Sequence, residues 1–540
     1  VQRHIRGTAG AAAVLLAGAA ALSGCAATGG AVEKDDWSSL TIAAVAEPTS
    51  FDPAQAAEAN FAQYYQPVFD TLIRRLPDGE LAPMLATDWR LSDDGLTATL
   101  DLRDDVTFSD GTAFDAEVAE LNLERFRDSG GPFAANLANL TDVVVVDDDT
   151  IRLELSTPDP DIFQYLGNSA GYMASPAQFT GDAVDTQPIG SGPYELDRRQ
   201  TVTGSVYTYV KRADYWDQDA RWDFFETLAI KPMLDPAARM NALRSGEVDT
   251  GIIEPKSIPE AEAAGLGVST FQVNWYGLAI FDRDGTMVPA LADVRVRRAI
   301  SYAIQTDAIL DAVELGHGET TDQGFNTDSE AYLPGLDEAY TYDPDRARKL
   351  MAQAGYADGF EVTMPSSSNM DPAMLAAVGQ DLAAIGIRVT WREVAPADFI
   401  PALREGKFAL SWMSFAQPPT AWGTVSRFLL PTSAWNVFKT RDDRIEAAAR
   451  TALANLDDPE VYDAAVAEIN RVTVQDAWNA IFYRVEQGVV TRAGLAAEGQ
   501  AGQAAPSIYN YSVDSGAPED NAPESNAPEN NSTDSNSTDG

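Results

Sequence analysis

Between Trp89 and Val118 the chain sets out a regular alternation. Ala98, Leu100 and Leu102 fall on one face and Thr97, Thr99 and Asp101 on the other, as a half-buried strand requires. Asp94-Gly95 is a tight-turn pair ahead of it, so the segment predicts a β-hairpin. After a second turn at Ser109-Asp110-Gly111, Asp115 can cap a helix that carries Val118, Leu121 and Leu123 into Phe126. The segment therefore reads hairpin, turn, helix.

The same reading extends along the chain. Residues 40–45 predict a strand, 60–72 a helix, and 143–146 with 151–155 a second hairpin around the acidic turn Asp147-Asp148-Asp149. That turn lacks the bend glycine and the later bidentate Glu that a calcium loop needs. Pro236 opens a helix that runs to Ser245. Val296, Ile300 and Ala303 give the helix after Asp293 an inward face, with Arg295, Arg297 and Arg298 left for the surface or for salt bridges. The second half repeats a unit. Asp343-Pro344 starts a helix that Gly355 stops, Asp371-Pro372 starts another that Gly386 stops, and strands follow at 359–364 and 387–391. This is an α/β layer. Residues 408–413 continue it as a buried strand, 441–454 and 459–475 add two amphipathic helices, and 480–483 return the chain toward the first half.

The ends differ in kind. Arg3, Arg6 and the small apolar run 9–22 lead into Leu22-Ser23-Gly24-Cys25, which reads as a signal peptide with an apolar core too short to span a bilayer stably. Cys25 is the single cysteine, so it has no disulfide partner in the chain, and an exported protein of this kind relies on core burial. Residues 25–36 read as a flexible tether. Residues 514–540 contain no aromatic or large aliphatic side chain, so the ordering entropy finds no offset and a disordered acidic tail is expected. A formal net charge of −44 argues against nucleic acid or an anionic lipid surface as partner.

Enzyme chemistry finds little support. The two histidines are His4, in the leader, and His317, in a turn, so histidine triads and zinc sites built on several histidines are nearly excluded. The chain lacks a Ser-x-x-Lys motif and a Walker loop. No catalytic residue, metal or cofactor is expected. Residues 408–422 point instead to binding. An apolar strand carrying Trp412, Ser414 and Phe415 passes into a Pro-rich loop with Trp422, and low-charge aromatics of this kind form either a pocket wall or core.

Several of these stretches in combination resemble one family. The segment 89–118, the loop Glu47-Pro48-Thr49-Ser50-Phe51-Asp52-Pro53, the crossing Gly190-Ser191-Gly192-Pro193-Tyr194, the series from Tyr215-Trp216 to Gly246-Glu247-Val248-Asp249, and residues 293–300 are similar to those of the family 5 extracytoplasmic solute-binding proteins, the peptide and nickel receptors of bacterial ABC importers. The small residues before Cys25 resemble a lipobox, which implies a lipid on Cys25; an ordinary secretory signal is the alternative. The resemblance implies an α/β, bilobal periplasmic-binding-protein-like fold (type II, cluster C) with two lobes and a small inserted domain. Lobe I would comprise 37–72, 189–281 and 484–513, the inserted subdomain 73–188, and lobe III 282–483. It implies a monomeric, membrane-anchored extracytoplasmic receptor that delivers a peptide or other small solute to ABC permease subunits. Ligand-binding residues are expected among Thr49, Ser50, Phe51, Trp275, Tyr276, Trp412, Ser414, Phe415 and Trp422.

Two positions depart from the family. Pro418 falls where the dipeptide and oligopeptide receptors carry the Asp that holds a ligand ammonium, and Ser368 stands where the dipeptide receptors carry the carboxylate-binding Arg. A buried ammonium or carboxylate without a partner costs several kcal/mol. A longer or capped peptide, or an uncharged solute such as an oligosaccharide, fits these positions better than a zwitterionic dipeptide.

Overall fold

The computed structural model describes residues 37–180, 183–218 and 225–513. The expected signal peptide, Cys25, tether and acidic tail lie outside the described residues.

Nine strands among the described residues form one mixed sheet: β1 (Ser39–Ala44), β2 (Tyr194–Leu196), β3 (Tyr207–Lys211), β4 (Thr227–Pro232), β5 (Thr250–Ile253), β6 (Gly267–Ile280), β7 (Gly318–Thr320), β8 (Leu410–Ala416) and β9 (Asn479–Thr491). Their order is β8-β6-β9-β5-β1-β4-β3-β2, with β7 also on β9. β1 is central and parallel to both β4 and β5, so it is buried on both faces and reads as the nearly continuous apolar run Leu40 to Ala44. β6 and β9 are the long members, 14 and 13 residues, and pair antiparallel from Gly267 opposite Thr491 to Ala279 opposite Asn479. One end of this ribbon sits beside β5, and the other carries β8 and β7.

Apolar side chains gather in separate cores along this frame. Leu40, Ile42, Tyr64, Phe69, Tyr209 and Ile230 pack around β1. Leu100, Phe108, Phe126, Leu153 and Met173 pack between the helix Ala116–Asp128 and a four-stranded antiparallel sheet made of Ala86–Leu91, Thr97–Leu102, Thr150–Leu155 and Leu140–Asp147. Leu278, Ile300, Met364, Leu382 and Phe482 form a third core over the parallel pair Phe360–Ser366 and Ile387–Glu393.

Local signals set the ends of the elements. The amide of Val118 donates to the Asp115 carboxylate at 2.9 Å, and Asp235, Asp343 and Asp371 cap the helices Pro236–Ser245, Pro344–Gln353 and Pro372–Ala384 in the same manner. Gly95 takes a positive φ of 68° in the expected hairpin turn. In the crossing segment a Cβ on Gly190 would lie 1.9 Å from the Val68 carbonyl oxygen, so the close approach of the two backbones requires glycine there.

Two expectations change. The helix expected over 60–72 is a 3₁₀ turn at Ala59–Phe61 followed by the four-residue helix Ala62–Tyr65. Pro67 has no N–H to continue the ladder, and the Val68 and Phe69 amides turn back to the Tyr65 carbonyl. In the helix Val294–Ala303, Arg295 and Arg298 pair with Asp293 and Asp476, but Arg297 is buried. It donates to the carbonyls of Leu291, Asp476 and Ala477, tying this helix to the loop before β9.

Candidate functional site

The pairing of β6 with β8 sorts the aromatic candidates. Trp275 lies opposite Phe415 and Tyr276 opposite Ser414, and successive residues of a strand point to opposite faces. On one face Phe415 meets Trp275, Phe428 and Trp435 with ring centroids 5.2, 5.0 and 4.6 Å apart. Met413, Ile481 and Phe281 belong to the same cluster, in which Trp275 is 3% and Phe415 7% exposed. On the other face Tyr276 stacks on Tyr483 at 5.8 Å and leans on Trp412 at 6.0 Å. Trp412 is itself packed on Phe482, while Ser414 is exposed beside Tyr276. Burial pushes the Tyr276 phenol above its usual range, and a hydrogen bond with the Ser414 side chain works against that shift.

Tyr276 also lines a cavity of about 300 Å³ where β6 and β9 pass the ends of β1, β4 and β5. Asn274 and Glu486 come from the long ribbon, and Val45, Leu234, Arg239 and Glu254 from the segments that follow β1, β4 and β5. Such a volume suits a small organic solute. The Arg239 guanidinium is buried and donates to the carbonyls of Ile252 and Met233 at 2.6 and 2.7 Å and to the Glu254 carboxylate at 2.9 Å.

The remaining candidates lie elsewhere. Thr49 is exposed, the Ser50 hydroxyl donates to Asp185, and Phe51 packs on Tyr65 and Tyr207 at 6.1 and 6.0 Å. None of these three lines the cavity. Trp422 is 4% exposed in a core with Phe325, Val425, Ile445 and Val466. Trp275 borders a smaller space of about 30 Å³ with Phe428, Thr424 and Asp322. Burial pushes the Asp322 carboxyl up to about 7. Ser368 is exposed and Pro418 half-buried. Among the described residues no group of three or more His, Cys, Asp or Glu is arranged to hold a metal.

One polar contact was not foreseen. The Thr420 hydroxyl, just past β8, donates at 2.9 Å to the carboxylate of Asp161, which stands at the head of the short helix Ile162–Leu166. Asp161 is 4% and Asp159 6% exposed. Burial, and then the neighbouring Asp159, push the Asp161 carboxyl up to about 8; burial pushes Asp159 up to about 6. Nearby, Glu58 accepts from the Ser169 hydroxyl at 2.8 Å, and Arg75 reaches the Ala501 carbonyl at 2.7 Å. Asp159-Pro160-Asp161 is an ordinary turn sequence, and 259 residues separate Asp161 from Thr420, so no local pattern announces the pair.

Residues 80–436 match the description "Bacterial extracellular solute-binding proteins, family 5 Middle". The glutathione-binding protein GsiB of Escherichia coli O1:K1 / APEC is 30% identical over 364 residues, covering 65% of this chain and 68% of that protein. Among solved structures, the periplasmic binding protein DppA of Helicobacter pylori, in complex with the peptide STSA, superposes with a TM-score of 0.74 at 20% identity over 88% of this chain and 98% of its own. NikA of Brucella suis, in complex with Fe(III)-EDTA, gives 0.76 at 21% identity over 88% and 99%. These two share the bilobal periplasmic-binding-protein fold with this chain.

Proposed function

The chain belongs to the family 5 bacterial extracellular solute-binding proteins, and on that premise we propose that it captures a small solute, a peptide first, beside the β6–β9 ribbon and passes it to the permease of an ABC importer. The observation that carries this reading is the cavity of about 300 Å³ lined jointly by the ribbon and by the segments after β1, β4 and β5. Two lobes joined by long crossing strands close by a hinge, and a closed receptor is what a permease selects. We assign residues 37–72, 189–281 and 484–513 to lobe I, 73–188 to an inserted subdomain, and 282–483 to lobe III. Of the expected set, Tyr276 lines this cavity and we assign it to the ligand wall, with Ser414 beside it on the neighbouring strand.

Peptide as the solute class is supported by what similar proteins bind: glutathione for GsiB and the peptide STSA for the Helicobacter pylori DppA. A neutral oligosaccharide is the second reading, favoured by Pro418 and Ser368 where charge anchors would stand. A lipid on Cys25 would hold the receptor as a monomer on the outer face of the membrane.

Thermal unfolding of the protein against peptides of two to eight residues, neutral oligosaccharides, and nickel with small chelators tests the assignment. A ligand at a hundred times its dissociation constant adds about 2.7 kcal/mol to stability. A shift with peptides alone supports the reading, and a shift with sugars alone moves the substrate. Turnover of a peptide or glycoside that depends on one acidic side chain would make the protein a surface hydrolase instead.

A further inference from the structure

The cavity beside the ribbon is not balanced in charge. Arg239 is paired with Glu254, donates to two backbone carbonyls and is only 2% exposed, so its charge is buried and already balanced. Glu486, on the same wall, has no such partner. No described side chain donates a hydrogen bond to its carboxylate, and its ion-pair neighbour is His317, Nδ1 to Oε2 3.6 Å, which is charged only when protonated. The Glu486 side chain remains 33% exposed. Next to it, Asn274 and Gln487 offer neutral hydrogen-bonding groups, and Tyr276 offers an aromatic face. Leu234, 66% exposed, stands on the cavity lining as a large apolar side chain with no cover. The net charge of −44 adds a field that draws cations and repels anions at long range.

We infer that Glu486 is the charge anchor of the binding site, and that the solute carries an amine or guanidinium placed on Glu486 with an apolar group beside it on Leu234 and Tyr276. This rests on the assignment of the chain as a solute receptor. It also gives Pro418 and Ser368 a consequence: the carboxylate that faces the ligand cation stands on β9 instead of after β8, and the ligand is not required to bring a carboxylate of its own. A solute whose only charge is negative meets a carboxylate whose ion-pair neighbour is a histidine, and the cation among the described lining residues, Arg239, is already balanced by Glu254, which selects against it.

Three capped peptides, acetyl-Leu-Lys-Leu-amide, acetyl-Leu-Gln-Leu-amide and acetyl-Leu-Glu-Leu-amide, test the anchor by isothermal titration of the full chain and of Glu486→Gln and Leu234→Ser. Capping removes the terminal charges, so the central residue alone sets the ligand charge. The Lys peptide should bind the parent protein about tenfold or more tightly than the Gln peptide, with the Glu peptide weakest. Glu486→Gln should erase that order without moving the unfolding midpoint, and Leu234→Ser should weaken all three alike. Equal binding of the Lys and Gln peptides, or a Lys preference that survives Glu486→Gln, overturns the anchor and leaves the receptor assignment standing. Binding of agmatine that Glu486→Gln abolishes, with no peptide bound, supports the anchor and removes the peptide reading.

Discussion

Thr420 donates its hydroxyl proton to the carboxylate of Asp161 at 2.9 Å, joining the loop after β8 to the segment we assign as an inserted subdomain. The acceptor is buried together with Asp159, and Thr420 Oγ1 in turn accepts from the Gly423 amide at 3.1 Å. A neutral carboxyl fits this place better than an anion, because desolvation is the largest influence on Asp161.

That relationship fixes a pH dependence. The Asp161 carboxyl is raised from its ordinary value near 4 to about 8, so the folded protein holds a proton that the unfolded chain releases as pH rises. Stability from this group is complete below about pH 4 and is lost as pH rises toward 8, at no more than about 1.4 kcal/mol per pH unit for one proton. Unfolding midpoints measured from pH 4 to 8 should therefore fall, and Asp161→Asn should flatten the slope while keeping a partner for Thr420. An unchanged slope would place the titrating group elsewhere.

Asp282, two residues past the end of β6, is fully buried and accepts from the amides of Thr286, Met287 and Val288, each at 2.7 Å. It closes the turn by which the chain leaves the ribbon. Asp282→Ala removes three hydrogen bonds from a fully buried site and should cost about 3–5 kcal/mol in a urea titration.

Much of the fold was legible in the sequence because its signals are local. Asp115, Asp235, Asp343 and Asp371 each announce a helix within three residues, and alternation from Thr97 to Leu102 gives strand and face together. Pro67 was an equally local signal against a helix continuing to Leu72. The site was less legible. Arg239, Tyr276 and Glu486 meet only because β5, β6 and β9 are neighbours, a matter of sheet order that no window of sequence carries. The aromatic stretch 408–422 was visible, but whether a given ring is wall or core depends on which partner strand lies opposite, and that appears only in the register of Trp275 with Phe415 and Tyr276 with Ser414.

Cys25 provides a prediction independent of the fold. If a lipid on this residue holds the receptor at the membrane, Cys25→Ser should move the protein from the membrane fraction to the soluble fraction of producing cells, and metabolic labelling with a fatty acid should mark the parent protein but not the variant. Retention of the variant in the membrane fraction would remove the anchor from this cysteine.

The last prediction separates the two faces of the β6–β8 pair. Phe415 is surrounded by Trp275, Phe428 and Trp435, so Phe415→Ala opens a void among aromatic rings and should cost about 3–5 kcal/mol of stability. Tyr276, one residue from Trp275 but on the cavity side, keeps most of its packing on Tyr483 and Trp412 when replaced by Phe. Tyr276→Phe should hold stability within about 1 kcal/mol, because the lost hydroxyl bond with Ser414 is near the surface. Tyr276→Ala should lower solute affinity by about tenfold or more, since a ring face in a binding cavity supplies about 1–2 kcal/mol of contact. At a temperature where every variant remains folded, calorimetric titration should then find the affinity of Phe415→Ala close to that of the parent protein and that of Tyr276→Ala reduced. The reverse order would place the ligand on the Trp275 face, in the smaller space beside Asp322.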